Sequence, residues 1–296
     1  MIDKLEMFLA LAKAQHFGKA AEEIGVTQPT LSAAIKQLEE QMGVMLVYRG
    51  SRFRGLTPEG QRVQEWALKI VSDARSMKEE MRFARRGLSG KLRLAVIPTA
   101  LTATSSLTSQ FAKSHPNVRL SILSRSSSQI LEMMETLEID AGITYLDDEP
   151  LGRVIAEPLY SESYVLVTSA PLGLDRIAWS ELGTQPLCLL TPEMLNRRII
   201  NMHLQEAGVE AEPAIEANTI TVLISHVLTG NWATILPLKA AEIYLRTSAL
   251  HSTPIYKPNA LHRVGLIAPH REPNTPVLEA LLQEARQLAQ SWAGEA

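Results

Sequence analysis

Apolar side chains return at helical intervals through the first forty residues. Leu5, Phe8, Leu9, Leu11 and Ala12 carry the spacing of one amphipathic helix over 3–14. A short helix over 18–24 turns Ala20, Ala21 and Ile24 inward, and Gly25 ends it. Thr27 is a good N-cap for a third helix, and Pro29 fits its first turn, where a missing N–H costs nothing. That helix is expected to bury Leu31, Ile35, Leu38 and Met42. Its other side shows Gln28, Thr30, Ser32, Ala33, Lys36 and Gln37. After Gly43, "VMLVYRGSRFRGLT" reads as two short strands with a turn at Gly50-Ser51.

Thr57-Pro58 opens a much longer helix. Val63, Ala67, Ile70, Ala74, Met77, Met81 and Ala84 alternate in steps of four and three, a heptad seam. The helix runs to about Arg86 and is roughly 43 Å long. So narrow a stripe on so long a helix predicts a partner helix of the same kind, parallel or antiparallel. "RRGLSG" then breaks the pattern and predicts a hinge. From Lys91 the pattern changes. "KLRLAVI", "VRLSIL", "DAGITY", "SYVLVTS", "PLCLLT", "WATILP" and "HRVGLIA" read as strands, with helices over 103–114, 128–137, 192–207, 219–229 and 275–293. Apolar strands between helices predict parallel sheets covered on both faces.

Composition narrows the class. The chain has 296 residues, 46% of them hydrophobic and 21% charged, as in ordinary globular proteins. The opening stretch carries acids and no unbroken apolar core, unlike a secretory signal, and no run is long and apolar enough to span a bilayer. A cytoplasmic protein is expected. One cysteine, Cys188, excludes a disulfide within the chain and any site built from several thiolates, and it reads as a buried strand residue. Residues 1–87 hold 14 Lys and Arg against 11 Asp and Glu, while the whole chain carries −3. A mildly basic front on an acidic body fits a front that meets a polyanion.

A short helix, a tight turn and a second helix with an exposed polar start make a helix-turn-helix. In that motif the second helix enters the DNA major groove. Gln28 can offer its amide to adenine. Thr30 and Ser32 are adaptable, Pro29 sits at the helix start, Ala33 lets the helix lie deep, and Lys36 can reach guanine or phosphate. Arg49, Arg52 and Arg54 lie on the strand-turn that follows, placed for phosphate contact.

These residues resemble the LysR-type transcriptional regulators, and the resemblance runs the length of the chain. "FLALAKAQHFGKAAEEIGVTQPTLSAAIKQLEEQMGVMLVYRGSRFRGLTPEG" resembles the family's winged helix-turn-helix. "GKLRLAVIP" resembles the start of its effector domain, "SILSRSSSQILEMMETLEIDAGI" its second strand-helix-strand unit, and "GNWATILP" a further segment. Tyr48 and "LEID" depart from the family's pattern. The resemblance implies an α/β fold with a winged N-terminal part. It implies a winged domain over 1–57, a dimerisation helix over 58–86, a hinge over 87–91, and two Rossmann-like subdomains resembling a type 2 periplasmic-binding-protein fold. One subdomain would comprise 92–162 with 266–296, the other 163–265. The implied partners are promoter DNA, a small-molecule effector, RNA polymerase and further copies of the chain, up to a tetramer. No cofactor is implied.

Ligands of α/β sheets lie beyond the carboxyl ends of the strands. Four such edges carry small polar residues: Thr99-Ala100, Ser126-Ser127, the loop from Thr191 to Asn196 and Arg197, and Asn218-Thr219. Hydroxyls and free N–H groups at helix starts suit a small anion or carboxylate, with Arg197 as counter-charge unless it points to solvent or pairs with a nearby acid. Each of Ser127, Thr191 and Thr219 is equally placed merely to cap its helix. Tyr145 and Trp232 are the aromatic rings near the expected rim. An enzyme finds little support. None of the seven histidines has His-Glu-x-x-His or His-x-His spacing, and Gly-x-Ser-x-Gly and Gly-x-Gly-x-x-Gly are both missing. A transport-type solute-binding protein is disfavoured by the DNA-binding front.

Overall fold

The structure, a computed structural model, describes residues 1–48, 53–210, 212–256, 262–270 and 273–295. The chain divides into two compact units, Met1–Arg85 and Arg86–Ala296.

The first unit opens with α1 (Ile2–Ala14), α2 (Phe17–Glu23) and α3 (Gln28–Met42), which pack pairwise. Leu5, Phe8 and Leu11 of α1, Ala20 and Ala21 of α2, and Leu31, Ile35 and Leu38 of α3 are all buried, as their spacing requires. Met42 departs from expectation and is 39% exposed. The helix ends there, at Gly43, whose φ is +70°. Glu39 is buried instead, and its Oε1 accepts from the N–H groups of Leu46 (2.9 Å) and Val47 (3.3 Å). Val47 then pairs antiparallel with Leu56, and the Tyr48 N–H donates to the Gly55 carbonyl. The expected turn at Gly50-Ser51 lies outside the described residues.

Helix α4 (Pro58–Arg86) has the expected length of 29 residues. Its seam divides in two. Ala67 and Ala74 are buried with Val71, whereas Ile70, Met77 and Met81 are 37%, 57% and 54% exposed. A straight helix of 3.6 residues per turn cannot keep a 3.5-residue stripe on one side of its own unit.

The second unit contains three sheets. The first has the strand order β2 (Val118–Ser124), β1 (Gly90–Val96), β3 (Ala141–Tyr145), β11 (His262–Pro269), β4 (Val154–Glu162). Helices α5 (Leu101–Ser114) and α6 (Ser127–Glu135) connect its first three strands, and α10 (Pro276–Glu295) packs on β4. The second sheet has the order β6 (Ile177–Ala178), β10 (His251–Tyr256), β5 (Tyr164–Thr168), β9 (Thr234–Pro237). β7 (Cys188–Leu190) and β8 (Ile215–Ala217) form a parallel pair beside it, with α7 (Leu195–Glu206), α8 (Ile220–Val227) and the short α9 (Leu238–Ala241) around them.

The sheets are mixed rather than parallel. β1 pairs parallel with β2 and β3, as right-handed βαβ units require. β11 arrives from the second sheet and enters antiparallel between β3 and β4. β5 likewise pairs antiparallel with both β9 and β10. An apolar strand carries no mark of its direction, and the alternation of elements reports direction only while the chain stays in one sheet. The expected return of the chain at residue 266 falls inside β11, which already pairs with β4 from His262.

Candidate functional site

Two surfaces collect the expected site residues. The first is the exposed face of α3. His16 caps α2, its Nδ1 accepting from the N–H groups of Gly18 (3.1 Å) and Lys19 (3.2 Å). Gly25, with φ +70°, ends that helix, and two residues later Thr27 caps α3. Thr27 Oγ1 lies 2.8 Å from Thr30 Oγ1 and accepts from the Thr30 N–H at 3.4 Å. Gln28, Pro29, Thr30, Ser32, Ala33 and Lys36 are all exposed, opposite the buried Leu31, Ile35 and Leu38. Thr30 thus divides its hydroxyl between the cap and the outside. Lys36 makes only a loose, exposed contact with Glu40 at 3.7 Å, so its ammonium stays available. Arg54 is exposed two residues before Leu56, which bridges to Val47. Arg49 and Arg52 lie outside the described residues.

That segment is fastened by backbone geometry. Thr57 Oγ1 donates to the Met45 carbonyl at 2.6 Å and caps α4 by accepting from the Gly60 N–H at 2.9 Å. The Thr57 N–H donates to the Leu46 carbonyl at 3.0 Å. A Cβ on Gly60 would come within 2.0 Å of that carbonyl oxygen, so only glycine fits.

The second surface is a narrow cleft, partly open to solvent, with an enclosed volume of about 10 Å³. It lies where β1, β3 and β7 end. Thr99 enters on the short turn Pro98–Ala100 after β1, Ser126 and Ser127 at the start of α6, and Tyr145 at the end of β3. Leu190, Met194, Leu195 and Asn196 close the other side. Ser126 is the N-cap of α6, with a complete capping box. Its Oγ accepts from the Gln129 N–H, and the Gln129 side chain accepts from the Ser126 N–H. Those two bonds leave the first-turn N–H groups of Ser127 and Ser128 ahead of the helix. Ser127 itself is 2% exposed, and its hydroxyl has no partner among the described residues.

Thr99, Ser126, Ser127 and Asn196 therefore converge, and the other expected residues do not. Ala100 is buried at the end of its turn and does not line the cleft. Thr191 gives its hydroxyl to Glu193 at 2.7 Å. Asn218 and Thr219 are exposed beyond β8, away from the lining. Arg197 is not a counter-charge for a ligand. Its guanidinium is buried and taken up by Glu216 Oε1 (2.6 Å), the Leu190 carbonyl (2.7 Å) and Asn201 Oδ1 (2.8 Å). On α7 it points one residue away from Asn196, which is enough to turn it off the cleft. Trp232 packs beside the smaller apolar cluster and does not line the cleft. Tyr145 is no rim residue, being 1% exposed and forming the floor.

Beneath that floor lies a buried polar network that the sequence did not reveal. Tyr145 Oη donates to Glu162 Oε2 at 2.7 Å and accepts from Asn196 Nδ2 at 3.1 Å. Burial pushes the Glu162 carboxyl up to about 8, and the Tyr145 and Tyr164 phenols well above their ordinary value. His203 Nε2 lies 3.0 Å from His262 Nε2, and His262 Nδ1 lies 3.0 Å from both oxygens of Asp148. The carboxylate draws a proton to His262 Nδ1, and when His262 is neutral its Nε2 accepts from His203. Burial, then the His262 charge, lowers the His203 pKa. Glu162, His203 and His262 lie far apart in sequence. The signal that could have found Glu162 is a charged residue ending an otherwise half-apolar strand.

Cys188 sits in β7 with no exposed surface, its Sγ near the carbonyls of Ala233 (3.5 Å) and Leu223 (3.7 Å). Burial pushes its thiol up to about 11. Among the described residues no group of His, Cys, Asp or Glu could hold a metal, and no helix is long and apolar enough to cross a membrane.

Comparison with known proteins gives a consistent picture. Residues 2–61 match the family described as bacterial regulatory helix-turn-helix protein, lysR family, and residues 85–290 match the LysR substrate binding domain. The hydrogen peroxide-inducible genes activator of Pectobacterium carotovorum subsp. carotovorum is 25% identical over 295 residues, covering 98% of this chain and 97% of its own. A full-length OxyR variant from Pseudomonas aeruginosa superposes with a TM-score of 0.76 at 24% identity, covering 98% of this chain and 99% of that one. CbnR in complex with its target DNA gives 0.63 at 22% identity, covering 97% and 99%. Family models thus match both the helix-turn-helix unit and the α/β unit over nearly the whole length, and the chain belongs to the LysR family of DNA-binding transcriptional regulators.

Proposed function

We propose that this regulator binds promoter DNA as a homodimer or homotetramer and changes the bend of that DNA when a small anion or carboxylate fills the cleft. The exposed start of α3 reads bases, and Arg54 with its neighbouring arginines holds phosphate. The observation that carries the effector half is Ser127. A hydroxyl 2% exposed, without a partner among the described residues, at the start of a nine-residue helix is costly unless something fills the cleft beside it. With Arg197 engaged elsewhere, the negative end would rest on the N–H groups of Ser127 and Ser128 and on the hydroxyls of Ser127 and Thr99. The enclosed space is about 10 Å³, room for roughly one water, so a ligand enters only as the walls of the cleft part.

The reading contains no catalytic step. It places the protein in the cytoplasm with its DNA, acting on RNA polymerase as activator, autorepressor or both. The relative's name gives hydrogen peroxide as a second candidate signal. A thiol answering peroxide by forming a disulfide needs a reactive thiolate and a second cysteine. Here Cys188 is the sole cysteine and is sealed in a strand, so a peroxide response through a disulfide within the chain is disfavoured.

The test is retardation of the chain's own upstream DNA, with and without a panel of small organic acids. An acid should shift the retarded band or its footprint. Ser127→Ala and Thr99→Val should abolish that shift while leaving DNA binding in place. An unchanged shift in both variants would remove the cleft as the sensor.

A further inference from the structure

The polar groups around the cleft specify more than an anion. Asn196 is 3% exposed, and its amide orientation is fixed from below. With the proton of the neutral Glu162 carboxyl on Oε1, Tyr145 donates to Oε2 and accepts from Asn196. The Asn196 NH₂ group therefore turns to Tyr145 and, at 3.5 Å, to Tyr164. This leaves Asn196 Oδ1, a buried acceptor, with no partner among the described residues. On the facing wall the Ser127 hydroxyl likewise has no partner among the described residues, at a helix start whose first N–H groups have no partner within the helix. A simple carboxylate would satisfy the donors at Ser127 and leave the acceptor at Asn196 unpaired. An unpaired buried acceptor is costly, so a ligand that supplies a donor there is selected strongly over one that does not. The lining carries no charged side chain, so nothing there would balance an ammonium group.

We propose that the cleft selects a small hydroxy acid, its carboxylate on Ser127 and the α6 start and its hydroxyl donating to Asn196 Oδ1. This rests on the reading of the cleft as the effector site and names the class of ligand that site takes. Asn196 is then the specificity-determining residue and Ser127 the anchor.

The test is calorimetric titration of the full chain with glycolate and lactate against acetate and propionate, which match them in length and lack the hydroxyl. The hydroxy acids should bind at least about tenfold more tightly. Asn196→Ala should erase that preference and leave the weak binding of acetate and propionate. Asn196→Asp keeps an acceptor and should retain part of the preference, which separates loss of the acceptor from loss of packing. Ser127→Ala should abolish binding of all four. Equal binding of the two kinds of acid, lost in Ser127→Ala, would overturn the hydroxy-acid assignment and leave the cleft as the sensor. Binding that survives both Ser127→Ala and Asn196→Ala would place the ligand elsewhere and overturn the cleft reading too. No binding by any of the four at millimolar concentration would overturn the hydroxy-acid assignment alone, with the cleft itself still decided by the DNA shift.

Discussion

Replacing Glu162 with glutamine should stabilise the protein, and by an amount that grows with pH. The carboxyl is 2% exposed at the end of β4, held by the Tyr145 hydroxyl at 2.7 Å, and burial raises it from 4.5 to about 8. At neutral pH the unfolded chain carries it ionised and the folded chain carries it protonated. Folding therefore takes up a proton. The stabilising contribution is complete below about 4.5 and is lost as pH climbs through about 8. At pH 7 the lost part is about 3 kcal/mol, from about 1.4 kcal/mol for each unit between the unfolded pKa and the solution. Glutamine does not titrate, and its amide oxygen still accepts from Tyr145. Its NH₂ group takes the place of Oε1, which already has no partner among the described residues. Urea unfolding of both proteins from pH 5.5 to 8.5, followed at the tryptophans, gives the difference directly. That difference should rise by about 1.4 kcal/mol per pH unit in favour of the variant until pH 8. His203 titrates in both proteins and cancels. Parallel pH profiles would show that Glu162 is ionised in the folded chain and would refute the reasoning.

Three further outcomes are expected. Gln28→Ala should relax sequence choice in a binding-site selection, whereas Arg54→Ala should weaken all sites alike and shallow the salt slope by about one unit; a changed base preference in Arg54→Ala would contradict the phosphate role. Gly60→Ala should cost about 1–3 kcal/mol in thermal unfolding of the first unit, because its Cβ meets the Leu46 carbonyl oxygen at 2.0 Å and backbone must move; an unchanged melting temperature would mean the wing has slack. Met77→Asp, at a position 57% exposed in the single chain, should lower the oligomeric state in light scattering and leave the helical content intact; an unaltered mass would free this stripe of α4 from assembly.

Helical elements were legible wherever one face meets one core. The spacing of Leu31, Ile35 and Leu38 suffices to place α3, and Thr27 fixes where it starts. The strands were legible as apolar runs, but their directions were not. β4 was missed altogether. Pairing with β11 shifts register between Val264 and Gly265, so Tyr160 and Pro158 face neighbouring partners and Leu159 is skipped. That bulge puts Leu159 and Glu162, an odd three residues apart, on the buried side, which breaks the alternation that marks a strand. The cleft was half legible. A capping serine such as Ser126 has a local signature, and Thr99 and Ser127 follow from strand ends. Arg197 and Asn196 are adjacent in sequence, and which of them faces the cleft is set by the rotation of α7 against β7. The Glu162 network joins Tyr145 to Asn196, 51 positions apart, so no local pattern contains it.

The joint around Gly60 has a consequence for how DNA recognition can change. Glu39 ties α3 to the backbone at Leu46 and Val47, and Thr57 ties the same segment to the start of α4. Reader and grip are thereby one casting. On the proposed DNA-binding role, a substitution that tilts α3 must also move the Leu46–Val47 segment tied to it. Register and hold on the duplex are set together, and new DNA preferences are expected to arise by exchanging side chains on the outer face of α3 while its pose stays fixed.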